Sequence, residues 1–328
     1  MVKPTIKDVA KLANVSIATV SRVLNNLDGY SKKTKDKVEK AIKELNYEPN
    51  AIARGLVSKN SRTIGILLPY MHGRFSVDLL RGIDKYTHEN NYSVVICNTD
   101  NNGIRTMEYI KLLGEKQVEG IIFASAEVKK EYEEELLKLN IPTILVSTNG
   151  ISNKLPSINI DNYQAAYYAT LELIKKGHKD ICMISGQKDN KESGIPREAG
   201  FKQALLDNGL EVSDQKIYYG DFTFESGISG ITKLKKDNPN MTAIFTASDL
   251  MALGVLQYAY QKRLIIPHEL AVIGFDDSED AKMSVPPLTT IHQPIEEMGI
   301  LAAQMLIDKS IVFEDKILKH SVTIRNTI

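Results

Sequence analysis

The chain has 328 residues, 43% hydrophobic and 25% charged, with a formal net charge of zero and only two cysteines, Cys97 and Cys182. That length implies two or three domains, and two cysteines are too few for a disulfide framework or a cysteine metal cluster. No run approaches the roughly 18 apolar residues of a membrane span, and the start, MVKPTIKDVAK, lacks the apolar stretch of a signal peptide, so the expected location is the cytoplasm.

The charge is unevenly spread. Residues 1–60 hold twelve Lys/Arg against six Asp/Glu, and the remaining 268 residues hold 29 against 35. A basic head on an acidic body is the asymmetry of a nucleic-acid-binding module joined to something else.

The first 45 residues read as three short helices. Thr5 precedes Ile6-Lys7-Asp8, a start in which Thr5 caps and Asp8 sits in the positive first turn, and this helix runs to about Ala13. Asn14 follows, a residue that tolerates the left-handed conformation of a tight turn. Ser16 then caps a second helix from Ile17 to Leu24, and Ser31 opens a third with Val38, Ala41, Ile42 and Leu45 at helical spacing. Val9, Ala10, Val15, Val20 and Val23 are the expected core of the first pair, which a turn of about three residues joins as a helix-turn-helix. A recognition helix presents its first residues to base edges in the major groove. Here those are Ser16, Ile17, Ala18, Thr19, Ser21 and Arg22. Ser and Thr can bond phosphates or bases, Arg22 can pair bidentately with guanine, and Ile17 and Ala18 can meet a thymine methyl.

After Pro49 a short, mildly helical stretch, 50–58, leads into the polar residues 59–62 and reads as a linker able to switch between coil and helix. From Thr63 the pattern becomes strand–helix alternation. Apolar strand-like runs fall at 64–68, 94–97, 120–124, 143–146, 181–184, 243–245 and 270–274, and amphipathic helices at 77–89, 107–116, 165–176 and 251–262. Repeated βα units predict parallel sheets covered by helices, and this length suits two doubly wound subdomains, with crossings near 157–161 and 289–294. Ligands in such folds bind at the carboxyl ends of the strands, here facing the cleft between lobes. No phosphate-binding loop, dinucleotide fingerprint, metalloprotease helix or nucleophile elbow occurs, so no catalytic, metal or cofactor site is expected.

The stretch TIKDVAKLANVSIATVSRVLNN, followed by YEPNAIARGL, resembles the N-terminus of LacI/GalR-family regulators. KKGHKDI, REAGFKQAL, SDLMALGV, LAVIGFDDSEDA and PPLTTIHQP continue the likeness in order over essentially the whole chain. The resemblance implies an α/β protein: a helix-turn-helix head over 1–48, a hinge helix and linker over 49–61, and a periplasmic-binding-protein-like core over 62–328. Within that core the N-subdomain is expected at about 62–161 and 294–322, and the C-subdomain at about 162–293 and 323–328. It also implies a homodimer on a pseudo-palindromic duplex with a central CpG, with Leu56 wedged into the minor groove and Ala53 small enough for two hinge helices to approach. Thr5, Asn25, Asn50 and Arg54 complete the expected DNA-contacting set.

Carried over residue by residue, the effector contacts implied are Arg197, Phe222, Asp249, Asp276 and Gln293, with Phe75, Asp161 and Ser248 beside them. Carboxylates and a guanidinium suit vicinal hydroxyls, and Phe222 suits an apolar ring face, so the implied effector is a sugar or sugar phosphate. Asp249 alone could equally cap the next helix, and Asp277 turn the chain. The run Tyr70-Met71-His72-Gly73-Arg74-Phe75 departs from relatives, keeping only Phe75, so the effector's identity cannot be borrowed from them. His72 and Arg74 fit either an anionic ligand or an exposed loop. PNAIARGL, KQVEGIIF and YYGDFTFESG resemble the catabolite-control branch, which answers to a phosphorylated carrier protein; the acidic SEDAKMSVPP segment favours a small molecule instead. The expected function is a repressor of carbohydrate-utilisation genes.

Overall fold

The computed structural model describes residues 4–24, 28–47, 61–69, 74–99 and 103–328. Internal contacts divide the chain into Met1–Arg62 and Thr63–Ile328.

The head is three helices, α1 (Ile6–Ala13), α2 (Ile17–Leu24) and α3 (Lys32–Leu45). Its core is Val9, Ala10, Ala13, Val20, Val23, Val38 and Ala41, with Val15 only half-buried at its edge. Asn14 ends α1 and Asn46 ends α3 in the left-handed conformation, at φ 51° and 50°. Thr5 begins α1 in a capping box with Asp8, as the spacing of the two residues predicts. Its amide and its hydroxyl both donate to the Asp8 carboxylate, at 2.8 and 2.7 Å, so Asp8 is the acceptor that caps the turn. Those bonds hold the Asp8 carboxyl below its usual range.

The larger unit holds two six-stranded sheets. The first has the order β11-β5-β4-β3-β1-β2, from β1 (Thr63–Leu68), β2 (Ser93–Asn98), β3 (Gly120–Ala124), β4 (Thr143–Val146), β5 (Ser157–Ile160) and β11 (Lys316–Leu318), every pair parallel. Helices α4 (Arg74–Glu89) and α12 (Ile295–Ile307) pack together over one face, and α5 (Thr106–Glu115) and α6 (Lys130–Leu139) over the other. The second sheet has the order β12-β10-β9-β8-β6-β7, from β6 (Ile181–Ser185), β7 (Ile217–Tyr219), β8 (Ala243–Thr246), β9 (Ala271–Asp276), β10 (Thr289–His292) and β12 (Ser321–Thr323). Only the β10–β12 pair is antiparallel. Its helix layers are α7 (Asn162–Lys175) with α8 (Gly194–Asp207), and α9 (Phe224–Asp237) with α10 (Asp249–Lys262); a short α11 (Glu279–Met283) follows β9.

Because both faces of each sheet are covered, central strands such as β3, β4, β6 and β8 are buried at every residue, which is why they read as unbroken apolar runs. Paired helices cross on glycine: a Cβ at Gly82 of α4 would lie 2.0 Å from the Glu296 carbonyl oxygen of α12, so no larger residue allows this approach. The chain passes between lobes three times, after β5, after β10 and between β11 and β12. The third passage lies at Lys319–His320, ahead of the expected break after residue 322, because 321–323 pairs with β10 in the second sheet. Both cysteines are buried, and burial pushes the Cys182 thiol up to about 12. No helix among the described residues is long and apolar enough to cross a membrane.

Candidate functional site

In the head, Val20 and Val23 turn α2 inward, which leaves Ser16, Ile17, Ala18 and Arg22 exposed and Thr19 and Ser21 half-buried. The Ser16 hydroxyl caps α2 by accepting the Thr19 amide at 3.1 Å, and the two hydroxyls share a bond of 2.8 Å. One hydroxyl proton of the pair is thereby spent inside the helix turn. Arg22 stands against Gly29, whose φ is +105° and whose Cβ, if present, would lie 3.0 Å from Arg22 Nη1. Nothing in the sequence pattern pointed to Gly29. Asn25, Asn50, Ala53, Arg54 and Leu56, with most of the hinge and the segment Tyr70–Gly73, lie outside the described residues.

In the core, a cavity of about 810 Å³ lies between the lobes, at the carboxyl ends of their strands. Phe75, Arg197, Phe222, Ser248, Asp249, Asp276 and Gln293 all line it. Asp161 does not: its carboxylate caps α7 by accepting the Gln164 amide at 2.9 Å, and the neighbouring Asn162 takes its place on the wall.

Arg197 anchors the floor. It projects from α8, only 6% exposed, and donates Nε to Asn162 Oδ1 at 2.9 Å and Nη1 to the Ala247 carbonyl at 2.6 Å. Its guanidinium carbon sits over the Phe275 ring, 3.5 Å from the centroid, a cation–π contact that is strongest in a desolvated site. Burial lowers its pKa to about 10, so it remains a cation at neutral pH. Asp276 ends β9 in a sharp turn, with φ 129° followed by 60° at Asp277, and its Oδ1 accepts Gln293 Nε2 at 2.6 Å.

Asp249 lines the cavity and also braces the second lobe. Its Oδ2 accepts the Ser278 amide and hydroxyl at 2.8 and 2.9 Å, and its Oδ1 accepts the Thr290 hydroxyl at 2.5 Å. Both oxygens are thus engaged within the second lobe, locking the turn after β9. Asp249 does not cap α10; Ser248 does, through the Met251 amide. Gly274 makes the room, because a Cβ there would lie 2.4 Å from Asp249 Oδ1. Burial first, then the nearby Asp276, pushes the Asp249 carboxyl up; burial pushes Asp276 up too, against the pull of Arg197. Asp277 does more than turn the chain. It holds the β10–β12 corner through His292 at 3.0 Å and Arg325, bonds that outweigh burial and keep its carboxyl below the usual range.

Phe222 adopts φ 65°, uncommon for a bulky residue, and its ring rests on Gly186. Such strain persists where surrounding structure imposes it, often at ligand sites. Several polar contacts among the described residues span the lobes. Arg74 of α4 bonds both oxygens of Asp280 in α11, Lys191 meets Glu127 at 3.1 Å, and Asn149 donates its amide and side-chain nitrogen to Glu192 at 3.1 and 3.2 Å. Arg74 is therefore neither a loop residue nor an unpaired cation. These contacts link residues 43 to 206 positions apart, and no local pattern could have revealed them.

The comparisons with known proteins cover both parts of the chain. Residues 5–50 match the family model described as bacterial regulatory proteins, lacI family, and residues 61–328 the one described as periplasmic binding proteins and sugar binding domain of LacI family. Catabolite control protein A of Priestia megaterium is 39% identical over 316 residues, 94% of this chain and 95% of that protein. The ribose operon repressor of Escherichia coli (strain K12) is 37% identical over 306 residues, 93% of this chain and 92% of its own. Among solved structures, the lac repressor dimer bound to operator and the anti-inducer ONPF aligns over 99% of both chains with a TM-score of 0.86 and 27% identity.

Proposed function

Because the chain belongs to the LacI family of bacterial regulatory proteins, and is a DNA-binding transcription regulator rather than an enzyme, we propose that a small saccharide in the inter-lobe cleft sets its affinity for a pseudo-palindromic operator. The observation that carries this reading is the convergence of Arg197, Asp276, Gln293 and Phe222 on one cavity. A buried cation, a carboxylate and an amide offer directional bonds to hydroxyls, and an aromatic face offers a surface for ring C–H groups. The exposed start of α2, with Ser16, Ile17, Ala18, Thr19, Ser21 and Arg22, is the base-reading surface, and Thr5, Asn25 and the hinge residues Asn50, Ala53, Arg54 and Leu56 add the remaining contacts. The protein acts as a cytoplasmic homodimer, one head to each half-site, repressing carbohydrate-utilisation genes.

The coupling is a linkage. Ligand in the cleft favours one lobe arrangement over another, and the operator shifts the same equilibrium by its own differential affinity. Fluorescence anisotropy of a labelled duplex with a central CpG, titrated with and without a panel of saccharides, tests the reading. A shift of tenfold or more in operator affinity, roughly 1.4 kcal/mol of coupling, supports it and fixes its sign. An affinity that no saccharide moves, but a phosphorylated carrier protein raises, transfers the chain to the catabolite-control type suggested by its likeness to catabolite control protein A. On the segment that such a partner would meet, Lys282 already pairs with Glu279 at 3.4 Å, which favours the small molecule.

A further inference from the structure

The charge and reach of the cleft narrow the chemical class of its ligand. Among the described residues, seven acidic side chains line it against four basic ones, Arg74, Lys129, Lys191 and Arg197. Each cation is already engaged. Arg74 is held by both oxygens of Asp280, and Lys191 by Glu127. Arg197 already donates to Asn162 and the Ala247 carbonyl and lies over the Phe275 ring. Lys129 stands over the Tyr132 ring at 5.5 Å. A phosphate group would have to share one of these cations with its present partner while facing acidic groups that outnumber them, and a buried anion without its own paired cation is strongly disfavoured.

The cavity also extends well beyond Arg197 and Phe222. Its first-lobe wall draws on both helical layers, from Phe75 and Ser76 on α4 to Thr106 on α5 and Tyr132 on α6. At about 810 Å³ it lies toward the upper end of the roughly 300–1,000 Å³ usual for small-molecule sites, and one sugar ring leaves much of it empty. At the far side the Thr106 hydroxyl is buried, 1% exposed, and its Oγ1 has no hydrogen-bond partner among the described residues. Buried polar groups are normally paired, so an unpaired one on a ligand cavity wall marks where a ligand group belongs. Tyr132 is fixed beside it by donating its hydroxyl to the Gly103 carbonyl at 3.1 Å.

We propose that the ligand is an uncharged oligosaccharide of at least two rings, one ring held at Arg197, Asp276 and Phe222, and a second reaching Thr106 and Lys129 on the α5/α6 side. The proposal rests on the cleft being the saccharide site.

The test is calorimetric titration and thermal shift on the full chain with D-ribose, D-glucose, glucose 6-phosphate, maltose, cellobiose and sucrose. At least one disaccharide should bind tenfold or more tighter than either monosaccharide, and glucose 6-phosphate should bind no better than glucose. Thr106→Val, which deletes only the unpaired hydroxyl, should weaken the disaccharide at least fivefold while leaving monosaccharide affinity and the ligand-free melting temperature unchanged or the latter raised. Lys129→Ala should weaken the disaccharide in the same selective way. Disaccharides that bind no tighter than monosaccharides, a preference for glucose 6-phosphate, or an unaltered Thr106→Val variant overturns the proposal. Monosaccharide binding alone leaves the saccharide-sensing function standing; binding of none of the six removes both.

Discussion

The guanidinium of Arg74 in the first lobe donates to both carboxylate oxygens of Asp280 in the second, through Nε at 2.6 Å and Nη2 at 2.7 Å. The two residues are 206 positions apart, and the pair ties α4 to α11 across the mouth of the cleft. Both side chains keep solvent contact, 40% and 28% exposed, so solvent screening limits the pair to about 1 kcal/mol despite its two-pronged geometry. If the bridge stabilises the arrangement that grips ligand, Arg74→Ala and Asp280→Asn should each weaken saccharide binding about fivefold, the equivalent of about 1 kcal/mol. The double variant should lose no more than either single one, because the interaction can be removed only once. Titrating all four proteins completes the cycle; additive losses would mean that the two residues act on the ligand separately.

Asp249 makes a prediction about pH. Its carboxyl is pushed above the ordinary value of 3.8 by burial and by Asp276, so the folded core holds a proton that the unfolded chain releases near pH 4. A group of this kind contributes stability that is fully present below the unfolded value and is lost as pH rises through the raised folded value. The melting temperature of the wild-type chain relative to Asp249→Asn should therefore fall as pH is raised from about 4 toward neutrality. The asparagine can still accept from Ser278 and can donate to the Thr290 hydroxyl, so the comparison isolates the proton. A difference that is flat across this range would show that Asp249 is not shifted.

The outline of the fold was legible because its signals are local. Thr5, Asn14, Ser16 and Ser31 mark helix boundaries by side-chain chemistry close at hand, and the runs at 120–124 and 143–146 are buried on both faces of a sheet. The short strands β7, β11 and β12 span three residues each, too few for any period, and β11 and β12 are defined only by pairing with distant partners. The cleft was legible where a motif carried it, at Arg197, Phe222, Asp276 and Gln293. What no motif carried is the bracing of Asp249 by Ser278 and Thr290, 29 and 41 positions away. Asp161 was misplaced by one position: as the N-cap its carboxylate is committed to α7, and the next side chain points to Arg197.

Arg22 is the residue of the head whose loss should cost most on DNA while sparing the fold. It is exposed, its neighbours Val20 and Val23 carry the core, and its guanidinium is placed beside Gly29. A bidentate contact to guanine contributes about 1–3 kcal/mol of discrimination, so Arg22→Ala should weaken operator binding about tenfold or more. Binding to a random duplex should fall much less, since only one phosphate-range charge is lost. Anisotropy titrations on both duplexes, with circular dichroism to verify helix content, measure the difference. Equal losses on both would reduce Arg22 to a backbone contact.

Gly186 offers a way to perturb the ligand site without removing any group that touches ligand. The Phe222 ring lies directly on it, and a Cβ at that position would fall 2.2 Å from Cζ of the ring, far inside van der Waals contact. Gly186 itself has no positive φ that an alanine would strain, so the added methyl acts through the ring alone. The ring can yield only by swinging away from the second-lobe wall, because Phe222 is pinned between β7 and the start of α9 in a left-handed backbone conformation. Gly186→Ala should therefore weaken saccharide binding about tenfold, comparable to an aromatic contact worth roughly 0.5–1.5 kcal/mol, with only a small change in melting temperature. Phe222→Leu, which keeps the apolar bulk but not the flat face, should give a similar loss, and combining the two should add little. A Gly186→Ala protein with undiminished affinity would mean that the ring's present position is not the one that meets the sugar.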